Sequence, residues 1–247
     1  MNFKKKIAAS AVLAFGLTLT GCSGKMEDFD KQLEKATELA EKGDIFEDDY
    51  KMKIKMKTVD EGEESTIYVV IKVDDEEMYL EMETDVEGTE NDTTLKLWVG
   101  EENDKYYVFM EDSSTESKEY DEITEAEAIE ISNMWKDEMG NLEDRFLEML
   151  ESAKQIKETC GQEDVTCSVE KNLFGTEATL KTKTVVEEQE IIFNMTIKKG
   201  KMTEVQTSTT ISENSSVEVE MNFNYDDQNI KLPSKSKYTY KDGIGME

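Results

Sequence analysis

The chain has 247 residues and a formal charge of −29, from 29 Lys and Arg against 58 Asp and Glu, with no His, one Pro and three Cys. So acidic a chain repels a phosphate backbone, which all but excludes polynucleotide binding, and the absence of histidine removes Ser-His-Asp and Cys-His catalysis, His-bound zinc and an imidazole pH switch. With 37% hydrophobic and 35% charged residues, the apolar ones recurring at regular spacing, it reads as a very acidic globular protein.

Met1-Asn2-Phe3-Lys4-Lys5-Lys6 is a basic start, followed by an apolar run from Ile7 to Leu19 that is short for a stable span. Ending in small residues, it predicts a secretory signal. The ending Leu19-Thr20-Gly21-Cys22 resembles the lipobox of bacterial lipoproteins. That resemblance implies cleavage before Cys22, diacylation (palmitate-type) of its sulfur, and a lipid anchor on the extracytoplasmic face of the cell membrane of a monoderm bacterium. Two acyl chains suffice for stable anchoring. The expected organisation is a signal peptide over 1–21, a lipidated tether over 22–28 and one domain over 29–247. No later segment approaches the ~20 apolar residues that a spanning helix needs. A domain this acidic is expected to stand off anionic headgroups on Ser23-Gly24-Lys25.

Asp28 or Asp30 is placed to cap a helix whose Phe29, Leu33, Ala36 and Ala40 share one face, ending near Lys42-Gly43. From Tyr50 the period becomes two, with Tyr50, Met52, Ile54 and Met56 alternating with Lys51, Lys53, Lys55 and Lys57. That is a strand with one apolar and one solvated lysine face. Strands are predicted at Ser65–Val73, Glu77–Thr84, Thr93–Val99 and Lys105–Met110, separated by short acidic turns as in an antiparallel meander. Helices follow at Thr124–Trp135 and Leu142–Glu158. Cys160 and Cys167, close together in an exported chain, predict a small structural disulfide loop and a poor zinc site. A second meander runs through Val165–Val169, Thr176–Val186, Glu190–Lys198, Met202–Ile211 and Ser216–Tyr225, with Lys199-Gly200 as a hairpin turn.

A lipoprotein signal, an N-terminal helix, about ten amphipathic strands interrupted by helices, and the ending Asn229-Ile230-Lys231-Leu232-Pro233 together resemble the LolA/LprG-like (LppX-like) lipoprotein fold. The resemblance implies an α+β architecture: a single curved antiparallel sheet, an unclosed half-barrel, with the N-terminal helix and a two-helix insert covering the concave face. It also implies an apolar cavity, in which members of that superfamily carry lipid chains. The LolA carriers use an arginine that contacts the lid. The single arginine here, Arg145, lies in a predicted helix, so no functional arginine is carried over.

The Met-rich apolar faces, with Met52, Met56, Met78, Met82, Met195 and Met221, are soft for a sheet and suit either an adaptable acyl-chain wall or an ordinary core. Ten strands offer more apolar face than the helices fill, so a cleft is expected along Met52, Ile54, Met82, Phe193, Met195, Met221 and Phe223. Asp85-Val86-Glu87-Gly88-Thr89-Glu90 lacks calcium-loop spacing, and no Gly-rich phosphate loop or nucleophile elbow occurs. The expectation is therefore no metal, no cofactor and no enzyme. Trp98 and Tyr106 are read as lying on second faces of their strands, where either the helical insert covers part of the convex side or the aromatics form a partner-binding patch, coverage by the chain itself being the favoured reading. The leading functional reading is a membrane-anchored, non-catalytic binding or carrier module for an apolar, lipid-like ligand. The alternative is a surface interaction protein with a filled core and an acidic exterior that binds a basic partner. No nucleic acid is expected.

Overall fold

The computed structural model describes residues 22–244, apart from residues 44, 46–48, 75–76, 88–91, 139–141, 187–188, 213 and 227. The leader at 1–21 and Leu19-Thr20-Gly21 therefore lie outside the described residues. The described residues form one 13-stranded sheet, in the order β1-β8-β9-β10-β11-β12-β2-β3-β4-β5-β6-β7-β13. The first meander comprises β2 (Tyr50–Asp60), β3 (Glu63–Asp74), β4 (Glu77–Val86), β5 (Thr93–Glu101), β6 (Tyr106–Asp112) and β7 (Ser117–Ile123). The second comprises β8 (Val165–Lys171), β9 (Glu177–Val186), β10 (Gln189–Lys198), β11 (Lys201–Ser212) and β12 (Ser215–Asn224). Antiparallel pairing of β12 with β2 fuses the two into one surface. At the edges stand the two-residue β1 (Cys22–Ser23), antiparallel to β8, and β13 (Thr239–Tyr240), parallel to β7. The result is an α+β, unclosed half-barrel.

Among the described residues three α-helices complete it: α1 (Met26–Glu41), α2 (Glu125–Glu138) and α3 (Leu142–Glu158). Helix α1 buries Phe29, Leu33, Ala36 and Ala40, the stripe its spacing predicts. It starts before either expected cap. Lys25 is the N-cap, and Asp28, three residues on, accepts from the Lys25 backbone N–H at 2.8 Å. Helix α2 opens on a reciprocal capping box, in which Thr124 Oγ1 accepts from Glu127 N–H (3.2 Å) and the Glu127 carboxylate accepts from Thr124 N–H (2.7 Å).

Strand register divides the sheet into two faces. Met52, Ile71, Leu80 and Leu97 align across β2 to β5, and Phe223, Val205, Met195 and Leu180 carry the same side through β12 to β9. These residues form one core with Phe29, Phe146 and Leu150 of the helices, so this face is the concave one. Contacts of α1 with α3 and β8 to β11, and of α2 with β5 and β6, put the helices over it.

Four features differ from the sequence reading. β7 was not expected, because SKEYDEI carries only Tyr120 and Ile123 as large apolar residues. Residues 22–25 are not a free tether: Cys22 pairs with Lys171 and Ser23 with Glu170, and Gly24 N–H donates to Val169 O at 2.9 Å. Only glycine fits at 24, since a Cβ there would meet Val169 Cγ1 at 2.8 Å. Tyr106 shares the concave face with Val108 and Ile123, and its neighbours Tyr107 and Phe109 occupy the other. Finally, the C-terminal tail, not the helical insert, covers the convex aromatics. Ile230 is buried, its N–H 3.4 Å from Asp74 Oδ2, and Tyr238 packs edge-on to Phe109 (5.1 Å) and hydrogen-bonds Glu111.

Candidate functional site

Helices and hairpin turns close one end of the half-barrel. Gln32, buried in α1, donates Nε2–H to Gly175 O (3.0 Å) and accepts from Gly200 N–H (3.2 Å), so it bridges the β8–β9 and β10–β11 turns. Gly200 is required there, with φ of +81° and no room for a Cβ beside Lys35. At the other end the sheet turns at Glu61-Gly62 and Asn214, where Gly62 N–H donates to Asn214 O at 3.3 Å. On the concave face near that end, Met56, Met82 and Ile191 are 36%, 41% and 38% exposed.

The seven residues expected to line a cleft divide along this axis. Met52, Phe193, Met195 and Phe223 are buried in the core, with the Phe223 ring edge-on to Phe146 at 6.3 Å. Ile54 and Met221, directly paired across β2 and β12, are half-buried. Met82 is exposed. Half-buried Val69, Leu95 and Val219 continue the same face. The arrangement is an apolar trough, buried at one end and partly exposed at the other among the described residues, with methionine, a flexible and polarisable side chain, at its exposed lip.

The cysteines are disulfide-bonded, Cα to Cα 5.6 Å, and tie the end of α3 to β8. Cys22 stands apart from the trough, in the edge strand β1. Among the described residues no three acidic or thiol side chains converge as metal ligands, and no helix is long and apolar enough to cross a membrane. Residues 88–90 of the acidic loop lie outside the described residues.

A feature the sequence reading missed lies on the convex side. Between the sheet and the tail runs a groove of about 480 Å³ lined by Lys51, Lys53, Lys72 and Lys231 over Tyr79 and Trp98. Lys51 and Lys72 are directly opposed across β2 and β3, an unfavourable like-charge pairing. Burial, then the nearby Lys53 and Lys72, pushes the Lys51 ammonium below its usual range. The one carboxylate in the groove, Glu81, is occupied by Lys96 (2.9 Å) and the Tyr79 hydroxyl (2.9 Å). Burial opposes its ionisation, but those two hydrogen bonds outweigh it and hold its pKa low. The groove is thus a local cationic site in an acidic molecule. The Tyr50, Lys51, Lys53 alternation identifies a lysine face, but only the tail's return places a wall over it.

No family model and no curated protein sequence matches the chain. Among solved structures, the ywiB protein from Bacillus subtilis matches at 9% identity and a TM-score of 0.16, over 72% of this chain and 92% of that one. A DUF1329 family protein from Desulfovibrio piger matches at 10% identity and a TM-score of 0.25, over 84% of this chain and 97% of the other. Scores that low establish neither ancestry nor activity, and the architecture rests on the strand register itself.

Proposed function

We propose that this protein is a membrane-anchored, extracytoplasmic, non-catalytic binding module that holds an apolar chain in the open end of its half-barrel, with Cys22 as the lipidated residue. The observation that carries the reading is the pair of exposed concave-face side chains Met56 and Met82, continuous through Val69, Ile54 and Met221 with the core, while exposed Ile191 adjoins buried Phe193 along its own strand. Soluble proteins seldom leave connected apolar surface in a concavity without an occupant. The resemblance to LolA/LprG-like carriers supports the same reading. The rival, an interaction protein with a filled barrel, draws on the burial of Met52, Phe193, Met195 and Phe223. Those four therefore form the floor, and the ligand occupies the lip.

Protein starting at Ser23 can be extracted with organic solvent for mass spectrometry and titrated with a fluorescent fatty acid. Co-purified lipid and saturable probe binding are expected. Met82→Asp should weaken the probe at least tenfold while changing stability by no more than ~0.5 kcal/mol, as for an exposed site. An empty extract with no probe binding would transfer support to the interaction-protein reading.

A further inference from the structure

At the closed end of the half-barrel, the turn between β8 and β9 holds two apolar side chains almost wholly in solvent: Leu173 is 84% and Phe174 87% exposed. They are the two most exposed large hydrophobic residues among those described. The turn is rigid. Gly175 N–H donates to Asn172 O (3.1 Å), Thr176 N–H to Asn172 Oδ1 (3.0 Å), and Asn172 Nδ2–H to Thr176 Oγ1 (2.9 Å), while Gln32 holds Gly175 from α1. Isolated exposed hydrophobes need no explanation. A fixed hairpin tip that presents two adjacent ones has to be explained by what it meets.

The sheet register shows what that is. Cys22 is paired with Lys171, the last residue of β8 before this turn, and β1 runs antiparallel to β8. The chain therefore enters the fold at the tip corner. Cys22, the residue proposed to carry the acyl chains, has its backbone at the corner of the sheet next to the turn of Leu173 and Phe174. In extended chain two residues span about 7 Å, so the tip projects from Cys22 by a distance comparable to the ~5–10 Å to which interfacial apolar groups enter a bilayer. Exposed Lys25 and Lys199 flank the corner, Lys199 N–H donating to Thr176 O, and can meet lipid phosphates in a molecule otherwise too acidic to approach them.

We propose that the β8–β9 tip is a membrane-interface finger, in which Leu173 and Phe174 enter the boundary between headgroups and acyl chains next to the anchor. The proposal rests on the anchor reading of Cys22. It assigns the bilayer a second contact, so the protein is docked by the closed end of the half-barrel with its apolar trough opening away from the surface.

The test uses the full lipidated protein in phosphatidylcholine vesicles, with a polarity-sensitive fluorophore on Phe174→Cys and, separately, on Asn214→Cys at the far end. Both positions are exposed, so both variants should fold. The fluorophore at 174 should emit to the blue and be quenched by spin-labelled lipid, and that at 214 should do neither. Equal, water-like emission from both sites on vesicle-bound protein would overturn the finger while leaving the anchor intact. Failure of the protein to partition, with Cys22 unmodified, would overturn the anchor and the finger with it.

Discussion

Gln32 and Asp28 are the two polar side chains by which α1 is fastened to the sheet, and each is open to a single-residue experiment. Truncating Gln32 to alanine would strand the buried Gly200 N–H and the Gly175 carbonyl, and one unsatisfied buried group costs roughly 1–3 kcal/mol. A urea titration of Gln32→Ala should show a loss in that range with an unchanged m-value. Asp28 receives the Lys25 N–H and then Lys171 Nζ (2.9 Å), and these two hydrogen bonds, in that order, hold its carboxyl below the usual 3.8. A carboxylate with a depressed native pKa stabilises fully above its unfolded pKa, and that contribution disappears as pH falls through the native value. Asp28→Asn should therefore lower the melting temperature at pH 7, and the difference from the parent should close as pH is taken from 3.8 downward.

At the scale of elements, period and punctuation made most of the fold legible. Strict alternation in β2 and β12 fixed which residues turn inward, and the Lys199-Gly200 pair, with φ of 54° and 81°, was readable as a turn. Where polar composition hid the period, as in β7, or where a two-residue strand depends wholly on its neighbour, as in β1 and β13, there was no local signal to read. The disulfide was legible because two cysteines stand seven positions apart in a chain whose start reads as an export signal. A loop this short should contribute about 2–3 kcal/mol through chain entropy. Paired Cys160→Ser and Cys167→Ser substitutions should lower the denaturation midpoint accordingly, with the far-UV spectrum retained. The tip at Leu173-Phe174 was written between Asn172 and Gly175, both turn residues, yet its exposure follows only once α1 has fixed Gly175. The trough was half legible for a similar reason: the pattern names inward residues, but how far the helices reach along the sheet decides which of them stay wet.

At the scale of the whole molecule, self-repulsion among its acidic groups adds to the chain entropy that opposes compactness. Several convex-face lysines meet carboxylates across strands, as Lys57 does Glu64 (2.7 Å), Lys118 Glu111 (3.0 Å) and Lys181 Glu170 (2.8 Å). With 58 acids to 29 bases, one-to-one pairing can reach no more than half of the carboxylates. Screening should then relieve repulsion more than it weakens pairs, since exposed pairs are individually worth little. Raising NaCl from about 10 to about 150 mM, which shortens the Debye length from ~30 to ~8 Å, should raise the melting temperature; a fall would show that the pairs outweigh the repulsion.

The two-residue strands at the margins of the sheet have a consequence for association. A sheet this long offers seven-residue strands, β8 and β7, as its last full members, and an open row of amides and carbonyls on either would template another chain. β1 occupies the first and β13 the second, the latter followed by Lys241 N–H donating to Tyr120 O. Each stub pairs only two residues of its seven-residue neighbour, so it interrupts the open row without covering it. Removing either segment should lengthen the row a second copy could add to, and size-exclusion chromatography of the truncated chain would show the resulting association.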